Sequence, residues 1–450
     1  MRYVCIALLC GACGSASSRI DARPEAPPPT LSSVSPSSGI VTTMVTVSGT
    51  GFGDTQGTST VTLGGVSGTV ATWSSTSITV AVPNIKPAAA DVVVTVDGSA
   101  SAPQKFRVIL PPRAYVHNQS LDTMLMADNV AVLSYDSVMK KLVQIPPNIS
   151  TGMAPVGFGG CDHSIVVHEA TRRLFVTSNT GIAVYDIDPV MGTLLPVPGS
   201  PFLVTGASSL FGLEVNKAGT RVWAALTGHI AVFDVGPQGT LTAVAGSPFV
   251  TIQNDVIALS NDERFIYANT EGMMFGAFTT DTYAPVMGSP YSQAAFTFYM
   301  ARRPTTEQIF LPGANGVSVW QPDTTGKPSQ ITGSPFLATK PPGGTNNSIS
   351  FTSDGSRAYI TAQGSTYIVE VSLAADGTPT TLPGSPVNTT PLTSITCDAV
   401  SNDGSVLVVL SASASVGVFA LAADGTATQF PGSPFPFTAQ AFTSGLALTF

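Results

Sequence analysis

Short segments that alternate apolar and polar residues cover most of the 450-residue chain. In residues 30–109 the apolar side chains stand at every second position, most clearly at 45–47, 78–82 and 92–96. A period of two predicts strands that bury one face, and Gly- and Ser-rich turns separate them here. About 80 residues of short strands at regular spacing predict a β-sandwich.

Four stretches of this segment resemble the IPT/TIG family of immunoglobulin-like domains, namely residues 34–39, 45–52, 73–83 and 92–96. Gly51 permits a turn with positive φ, and Phe52 and Trp73 are expected in the core. The resemblance implies a spacer or interaction module. No His or Cys lies between Thr30 and Val108, so nothing points to catalysis in this domain.

The rest of the chain is a repeat array. Gly-Ser-Pro recurs at intervals of 42 to 51 residues, starting at Gly199, Gly246, Gly288, Gly333, Gly384 and Gly432. Each unit holds an apolar strand, an Asp-Gly-type turn, a strand with an aromatic residue, a third strand and a weaker fourth. Four strands in about 45 residues are typical of a β-propeller blade. Third strands are predicted near Val130, Ile182, Ile230, Met274, Val317, Ile368 and Val416, which makes seven blades.

The two ends of the array predict ring closure. The first unit begins at Arg113 and lacks an inner strand, while residues 444–450 have the pattern of an inner strand without a unit. A C-terminal strand that completes the first blade leaves no sheet edge open. We therefore predict an all-β chain: an immunoglobulin-like sandwich at 30–109 and a seven-bladed propeller at 113–450, closed by the C-terminal strand.

The Asp-Gly turns and the blade ends at 198–202 and 431–435 resemble the seven-bladed lactonase-like and YVTN-type propellers of bacteria. The resemblance implies the fold. For activity it implies opening of a phosphorylated sugar lactone, a substrate that requires cationic residues at the rim of the channel.

The N-terminus predicts export. Arg2 precedes a short apolar stretch at residues 3–9, and Gly11 and Ala12 precede Cys13. This resembles a bacterial lipobox with Cys13 as the lipidated residue, so we expect a signal peptide at 1–12 and a Ser/Pro-rich tether at 13–29. The predicted location is the cell envelope, lipid-anchored to the outer membrane or cell surface; plain secretion is the alternative, and a Cys-x-x-Cys redox pair would need a folded context.

Composition narrows the function. Charged residues are 10% of the chain, against roughly 25% in ordinary domains, and the formal net charge is −8. The acidic net charge and the low number of Lys and Arg residues argue against a nucleic-acid partner, so we expect none. The sequence contains no apolar run of 18 residues, so we predict no membrane-spanning helix. Without the signal and Cys13, Cys161 and Cys397 remain, and the sequence leaves open whether they pair.

The candidate site is the mouth of the central channel. Aligning the units on their turns places five residues at equivalent positions where inner strands begin: His163, Phe211, Asp255, Asn347 and Thr396. Beside them stand Asp162, Asn254, Asn346 and Asp398. Equivalent residues of a propeller converge on one axis and can meet a ligand from several sides. We interpret His117 and His229 as isolated surface loop residues, and His168-Glu169 as a zincin-like start without its second His.

Three interpretations of the mouth compete. It is a solvated rim without ligand chemistry, or Asp162 or Asp255 orients His163 as a general base for lactone opening, or Asp162, Asp255 and Asp398 bind a hard cation such as Ca²⁺. A rim rich in His, Arg and Glu would favour an enzyme, and the alignment finds none. We therefore expect a non-catalytic monomer without cofactor that binds a protein or glycan; a lactonase-like hydrolase and a purely structural surface protein are the alternatives.

Overall fold

The computed structural model describes residues 27–119, 128–153, 161, 163–207, 209–252, 256–269, 274–293, 297, 299–438 and 442–450. The predicted signal peptide, Cys13, most of the tether, Asp162 and Asp255 lie outside these residues. Across the described ranges, no helix has the length and apolar character to cross a membrane.

Residues 30–108 form two packed sheets. Their strands are β1 (Thr30–Ser35), β2 (Ser38–Gly39), β3 (Met44–Thr50), β4 (Thr60–Leu63), β5 (Val66–Ser67), β6 (Thr69–Trp73), β7 (Ser77–Ala81), β8 (Ala88–Val96), β9 (Ser99–Ala100) and β10 (Gln104–Val108). One sheet has the order β1-β3-β7-β6, and the other β2-β10-β8-β4-β5 with β9 on β8. The alternating residues Val45, Val47, Ile78 and Val92 are fully buried between them.

Seven further sheets form the blades of the propeller. Blade 1 contains β11 (Arg113–Gln119), β12 (Asn129–Asp136) and β13 (Lys141–Ser150). Blade 2 contains β14 (Ile165–His168), β15 (Arg173–Ser178), β16 (Gly181–Ile187), β17 (Leu194–Pro196) and β18 (Phe202–Leu203), with a short 3-10 helix at Glu169–Thr171. Blade 3 contains β19 (Leu210–Val215), β20 (Arg221–Leu226), β21 (His229–Val235), β22 (Leu241–Ala243) and β23 (Phe249–Val250).

The remaining blades repeat this order. Blade 4 contains β24 (Val256–Leu259), β25 (Phe265–Asn269), β26 (Met274–Thr279) and β27 (Tyr291–Ser292). Blade 5 contains β28 (Ala301–Arg302), β29 (Ile309–Gly313), β30 (Gly316–Pro322) and β31 (Pro328–Gln330), followed by a 3-10 helix at Leu337–Thr339. Blade 6 contains β32 (Thr345–Phe351), β33 (Arg357–Gln363), β34 (Tyr367–Leu373), β35 (Pro379–Thr381) and β36 (Val387–Asn388). Blade 7 contains β37 (Ile395–Val400), β38 (Val406–Ser411), β39 (Ser415–Leu421), β40 (Ala427–Gln429) and β41 (Phe435–Pro436).

The last strand, β42 (Phe442–Leu448), closes the ring. It pairs antiparallel with β11, Leu446 opposite Val116, and so occupies the inner position of blade 1. The hydroxyl of Thr449 also accepts a hydrogen bond from the backbone N–H of Arg113 at 2.9 Å. The predicted fold class, including closure by the C-terminal strand, is confirmed.

The Gly-Ser-Pro motif has a structural role in every blade that carries it. Its serine hydroxyl accepts a hydrogen bond of 2.8–3.0 Å from a backbone N–H of the third strand; the pairs are Ser200 with Val184, Ser247 with Val232, Ser289 with Ala277, Ser334 with Val319, Ser385 with Glu370 and Ser433 with Val418. The preceding glycine has φ between 81° and 90°, a region that favours glycine. The motif therefore fastens the outer part of blades 2 to 7.

Aromatic residues of the second strands lock neighbouring blades together. The hydroxyls of Tyr115 and Tyr359 donate hydrogen bonds of 2.8 Å to the carbonyls of Gly192 and Gly425 in the next blade. Both acceptors lie in turns between the third and fourth strands. The same repeated residues thus serve strand formation and ring assembly.

Candidate functional site

Inner strands and the segments that enter them line a solvent-open cavity of about 290 Å³ at the propeller axis. The lining comes from six blades: Cys161, His163, Glu214, Tyr299, Ala301, Arg302, Ile349, Ser350, Phe351, Cys397, Asp398, Ala399, Val400, Gly445 and Leu446. This volume is at the small end of the range for ligand pockets, about 300–1,000 Å³. The cavity therefore suits a molecule of the size of one sugar unit.

His163 reaches into this cavity. Its ring meets the ring of Tyr299 edge-on at 4.7 Å, and Nε2 is hydrogen-bonded to the Tyr299 hydroxyl. Its carbonyl accepts a hydrogen bond from the backbone N–H of Leu213 at 3.1 Å, and its φ is +53°, in the left-handed region. Burial lowers the pKa of His163 to about 4, so the imidazole is uncharged at neutral pH.

Glu214 and Arg302 line the same cavity from blades 3 and 5. Nε of Arg302 donates a hydrogen bond to the carbonyl of Leu259 at 2.8 Å, which anchors the guanidinium. Burial raises the pKa of Glu214 to about 7, and the positive charge of Arg302 partly opposes this rise. The sequence analysis missed both residues. The available signal was a charged residue inside an otherwise apolar inner-strand pattern, as at residues 211–215.

Asp398 lies deeper than the predicted rim position. It is 4% exposed and accepts hydrogen bonds from the hydroxyls of Thr361, at 2.7 Å, and Ser350. Burial raises the pKa of its carboxyl, and these hydrogen bonds partly oppose the rise.

The predicted cation site stays a prediction. In the described part of the chain, no three His, Cys, Asp or Glu side chains are grouped so that they could hold a metal ion. Asp162 and Asp255 lie outside that part, as does Asn254, and of Asn346 and Asn347 only the backbone is described. Phe211 and Thr396 do not line the cavity; the hydroxyl of Thr396 lies 2.8 Å from that of Thr443 inside the wall.

Cys161 and Cys397 form a disulfide, with their Cα atoms 4.8 Å apart and a sequence separation of 236. Both cysteines line the cavity, so the bond lies in the channel wall beside His163 and Asp398. The sequence left open whether these two cysteines pair, and the structure shows that they do.

The interpretation of His117 as a surface loop residue is wrong. His117 is fully buried in β11, with Nδ1 2.7 Å from the hydroxyl of Ser164 and Nε2 3.4 Å from a carboxylate oxygen of Asp128. Ser178 also donates a hydrogen bond to Asp128. The order Ser-His-Asp is that of a hydrolase triad, but Ser164 is 1% exposed and out of reach of a substrate. The error arose because β11 is covered on both sides, by β12 and by the distant β42.

The other two histidines are also in strands. His229 begins β21 and is half-buried, so its assignment to a loop is wrong too, while His168 ends β14. Nδ1 of His168 lies 2.8 Å from the hydroxyl of Thr171, so the imidazole is hydrogen-bonded within the turn that follows β14.

The sequence analysis expected no rim rich in His, Arg and Glu; the cavity lining contains one residue of each type, His163, Arg302 and Glu214. The wall thus offers an uncharged imidazole, a guanidinium and a carboxyl that titrates near neutral pH. The same cavity is also lined by the apolar residues Ile349, Phe351 and Leu446. Such a wall can accept and donate hydrogen bonds, contact C–H groups and transfer a proton.

Comparison with known proteins follows the division into two domains. The model of the IPT/TIG domain family matches residues 29–108. The solved structure of a protein of Lactobacillus plantarum aligns with 75% of this chain and with 99% of its own length, at 14% sequence identity and a TM-score of 0.59. The structure of a putative 6-phosphogluconolactonase of Bacteroides fragilis aligns with 76% of this chain and with 98% of its own length, at 12% sequence identity and a TM-score of 0.55.

The periplasmic gluconolactonase of Pseudomonas aeruginosa covers 75% of this chain over 99% of its own, with 15% identity and a TM-score of 0.55. Among curated proteins, none matches the sequence. Identities this low show a shared fold alone. The chain therefore joins an IPT/TIG domain to a seven-bladed β-propeller with the fold of the 6-phosphogluconolactonase-like proteins.

Proposed function

We propose that this protein is a non-catalytic binding protein outside the cytoplasm, whose propeller holds a sugar unit of a glycan in its central channel. The observation that carries the proposal is the convergence of Glu214, Arg302 and His163 on one cavity. These groups come from three different blades.

The character of the lining favours a hydroxylated carbon ring. Glu214, Arg302 and His163 offer hydrogen bonds to hydroxyl groups, while Phe351 and Leu446 can contact the C–H faces of the ring. Few precisely placed polar groups among apolar ones are typical of small-molecule sites. The IPT/TIG domain, with its apolar core, serves in this proposal as the spacer.

Three observations favour the location. Disulfides persist in oxidising compartments, and Cys161–Cys397 is one. The apolar stretch before Gly11, Ala12 and Cys13 has the form of a lipoprotein signal. A solved structure of the same fold is named a periplasmic gluconolactonase. We therefore place the protein in the cell envelope, anchored through lipid on Cys13.

Titration calorimetry of the full chain against monosaccharides, sugar acids and oligosaccharides tests the binding function. We expect at least one binder, weakened at least about tenfold by Arg302→Met and by Glu214→Gln, since losing a hydrogen bond to a charged group costs about 1.5–3 kcal/mol. Arg221→Met is the matched control, because Arg221 pairs with Asp234 at the surface. The proposal fails if nothing in the panel binds or if both channel variants bind normally.

Lactone hydrolysis is the second candidate, and the pKa of Glu214 near 7 is the observation that favours it. A general acid or base works best when its pKa lies near the operating pH. If the channel opens lactones, Glu214→Gln should lower the rate at least about 10²-fold. His163→Ala separates the two candidate bases, and wild-type protein without turnover on a panel of sugar lactones rejects the hydrolase.

The anchor has its own test. Cys13→Ser should release the protein from the membranes of its native host, because the acylated residue is lost. Intact mass of the wild type should show the acyl groups. A wild type without acyl mass, together with a variant that stays on the membrane, contradicts lipidation.

A further inference from the structure

The segment that enters blade 2 contacts five other blades through three of its residues. Cys161 is bonded to Cys397 of blade 7, and its Sγ lies 3.5 Å from the hydroxyl of Ser348 in blade 6. The disulfide therefore reaches past blade 1, which lies between blades 7 and 2 in the ring. The segment is fastened covalently to the far side of the closing strand.

The next described residues continue this pattern. The carbonyl of His163 is bound by Leu213 of blade 3, and its ring by Tyr299 at the entry to blade 5. The hydroxyl of Ser164 is bound by His117 of blade 1. A side chain added at Gly445 of β42 would collide with Ser164 at 2.8 Å, so the closing strand packs directly against this segment.

We infer that the Cys161–Cys397 disulfide is a positioning element of the channel site, which holds the His163 imidazole against Tyr299 inside the cavity. The inference rests on the proposed function, since it concerns the same cavity, but it is a statement about the protein without ligand. His163 and Tyr299 come from blades 2 and 5, so their contact crosses the channel.

The backbone conformation of His163 explains why this segment needs a covalent constraint. A left-handed φ in a residue other than glycine is uncommon and persists only where the surroundings enforce it. Each hydrogen bond of the segment contributes only a small net stabilisation, because it replaces a hydrogen bond to water. A covalent bond two residues before His163 keeps the segment in place when any one of these hydrogen bonds opens.

The titration of the His163 ring reports its position. The chain has four histidines, so ring resonances of histidine-labelled protein can be assigned, with His163→Gln identifying the signal of interest. In the oxidised wild type we expect an apparent pKa of about 4. In Cys161→Ser and Cys397→Ser we expect it to rise by at least about one unit toward the ordinary value near 6.5, because water reaches the released ring.

Tyr359→Phe is the control, since it removes a hydrogen bond between blades 6 and 7 and leaves the channel lining intact. If the Cys variants do not fold, reduction of folded wild type with a phosphine replaces them. The disulfide then gains two electrons and two protons to become two thiols, while the phosphine takes the oxygen of one water molecule and becomes its oxide.

The outcomes separate this inference from the proposed function. A rise in both Cys variants, or in the reduced wild type, with no change in Tyr359→Phe supports the positioning role. A His163 signal that still titrates near 4 without the disulfide, or that shifts equally in Tyr359→Phe, overturns it. Because no ligand enters the experiment, failure of the sugar titrations leaves this result standing, and the reverse also holds.

Discussion

The sandwich and the propeller are built from the same period-two strands but fill their interiors differently. In the described part of the sandwich, the buried polar residues are Ser59 and Ser101. The propeller buries His117, Asp128 and Glu370 among its polar residues. Burying an ionisable group is unfavourable unless it is paired or neutralised. The comparison teaches that the sandwich interior is almost entirely apolar, whereas the propeller accepts buried ionisable groups where blades meet and along its axis.

The geometry of the two domains explains this difference. In a sandwich, each strand has one face toward the opposite sheet and one toward solvent. In a propeller, blades pack face to face, while the inner strands also present residues to the axis. That axial surface is neither core nor exterior, and it is where Glu214, Arg302 and His163 meet.

The largest expected effect is loss of ring closure, which should separate the two domains. Deleting residues 445–450 removes most of β42, including Leu446, Leu448 and Phe450, and exposes the edge of β11. Phe450 also stacks on Tyr135 at 4.4 Å. Burial of a large apolar side chain is worth up to about 1.5–3 kcal/mol, and a domain is stable by about 5–15 kcal/mol. Calorimetry should show the propeller transition lost or greatly lowered and the sandwich transition kept; a propeller that melts as in wild type contradicts closure.

The second prediction reverses the comparison by weakening the sandwich alone. Phe106 is 1% exposed, so Phe106→Ala should destabilise the sandwich by about 3–5 kcal/mol through the cavity it leaves. Phe419→Ala is the matched change in the propeller core, because Phe419 is likewise fully buried. Each variant should shift one calorimetric transition. Equal shifts of both transitions would mean that the domains do not unfold separately.

The third prediction uses pH to distinguish the two interiors. Glu370 is fully buried, and Oε1 accepts a hydrogen bond from the backbone N–H of Ala427 at 2.6 Å. Burial raises its pKa to about 7. The folded state thus binds one proton more than the unfolded state between about pH 4.5 and 7, and the stability contribution is lost as pH rises through this window, by up to about 3 kcal/mol.

Glu370→Gln should abolish that loss. The difference in free energy of unfolding between variant and wild type should therefore grow from pH 5 to pH 8 in favour of the variant. The sandwich transition is the internal control, because its described core buries no titratable side chain. A difference that is independent of pH would show that folding does not raise the pKa of Glu370.

The smallest expected effect concerns contacts between blades. Tyr359→Phe removes the buried hydrogen bond to the carbonyl of Gly425 and should destabilise the propeller by about 0.5–1.5 kcal/mol in urea titrations. Tyr291→Phe removes an exposed hydrogen bond to the carbonyl of Met287 and should stay within about 0.5 kcal/mol of wild type. Similar losses of unfolding free energy in both variants would show that the hydroxyl between blades stabilises the propeller no more than an exposed one.

The fold was predictable because its signals are local. Apolar alternation marked the sandwich strands, and Gly-Ser-Pro marked the blades before its serine was known to bind the third strand. The candidate site was predictable only in its place on the axis and in two residues, His163 and Asp398. Glu214 and Arg302 were missed because they begin no strand and share no position in the repeat.

The sequence by itself determined the strands, the number of blades and the strand that closes the ring, since periodicity, turn residues and repeat spacing are properties of neighbouring positions. Only the tertiary structure decided which side chains meet. It buried His117 beneath a strand more than 300 residues away, joined Cys161 to Cys397 and brought three blades' polar groups to one cavity. The physical reason is that the axis exists only after the ring has closed, so burial, charge and contact at the site depend on packing across the whole propeller.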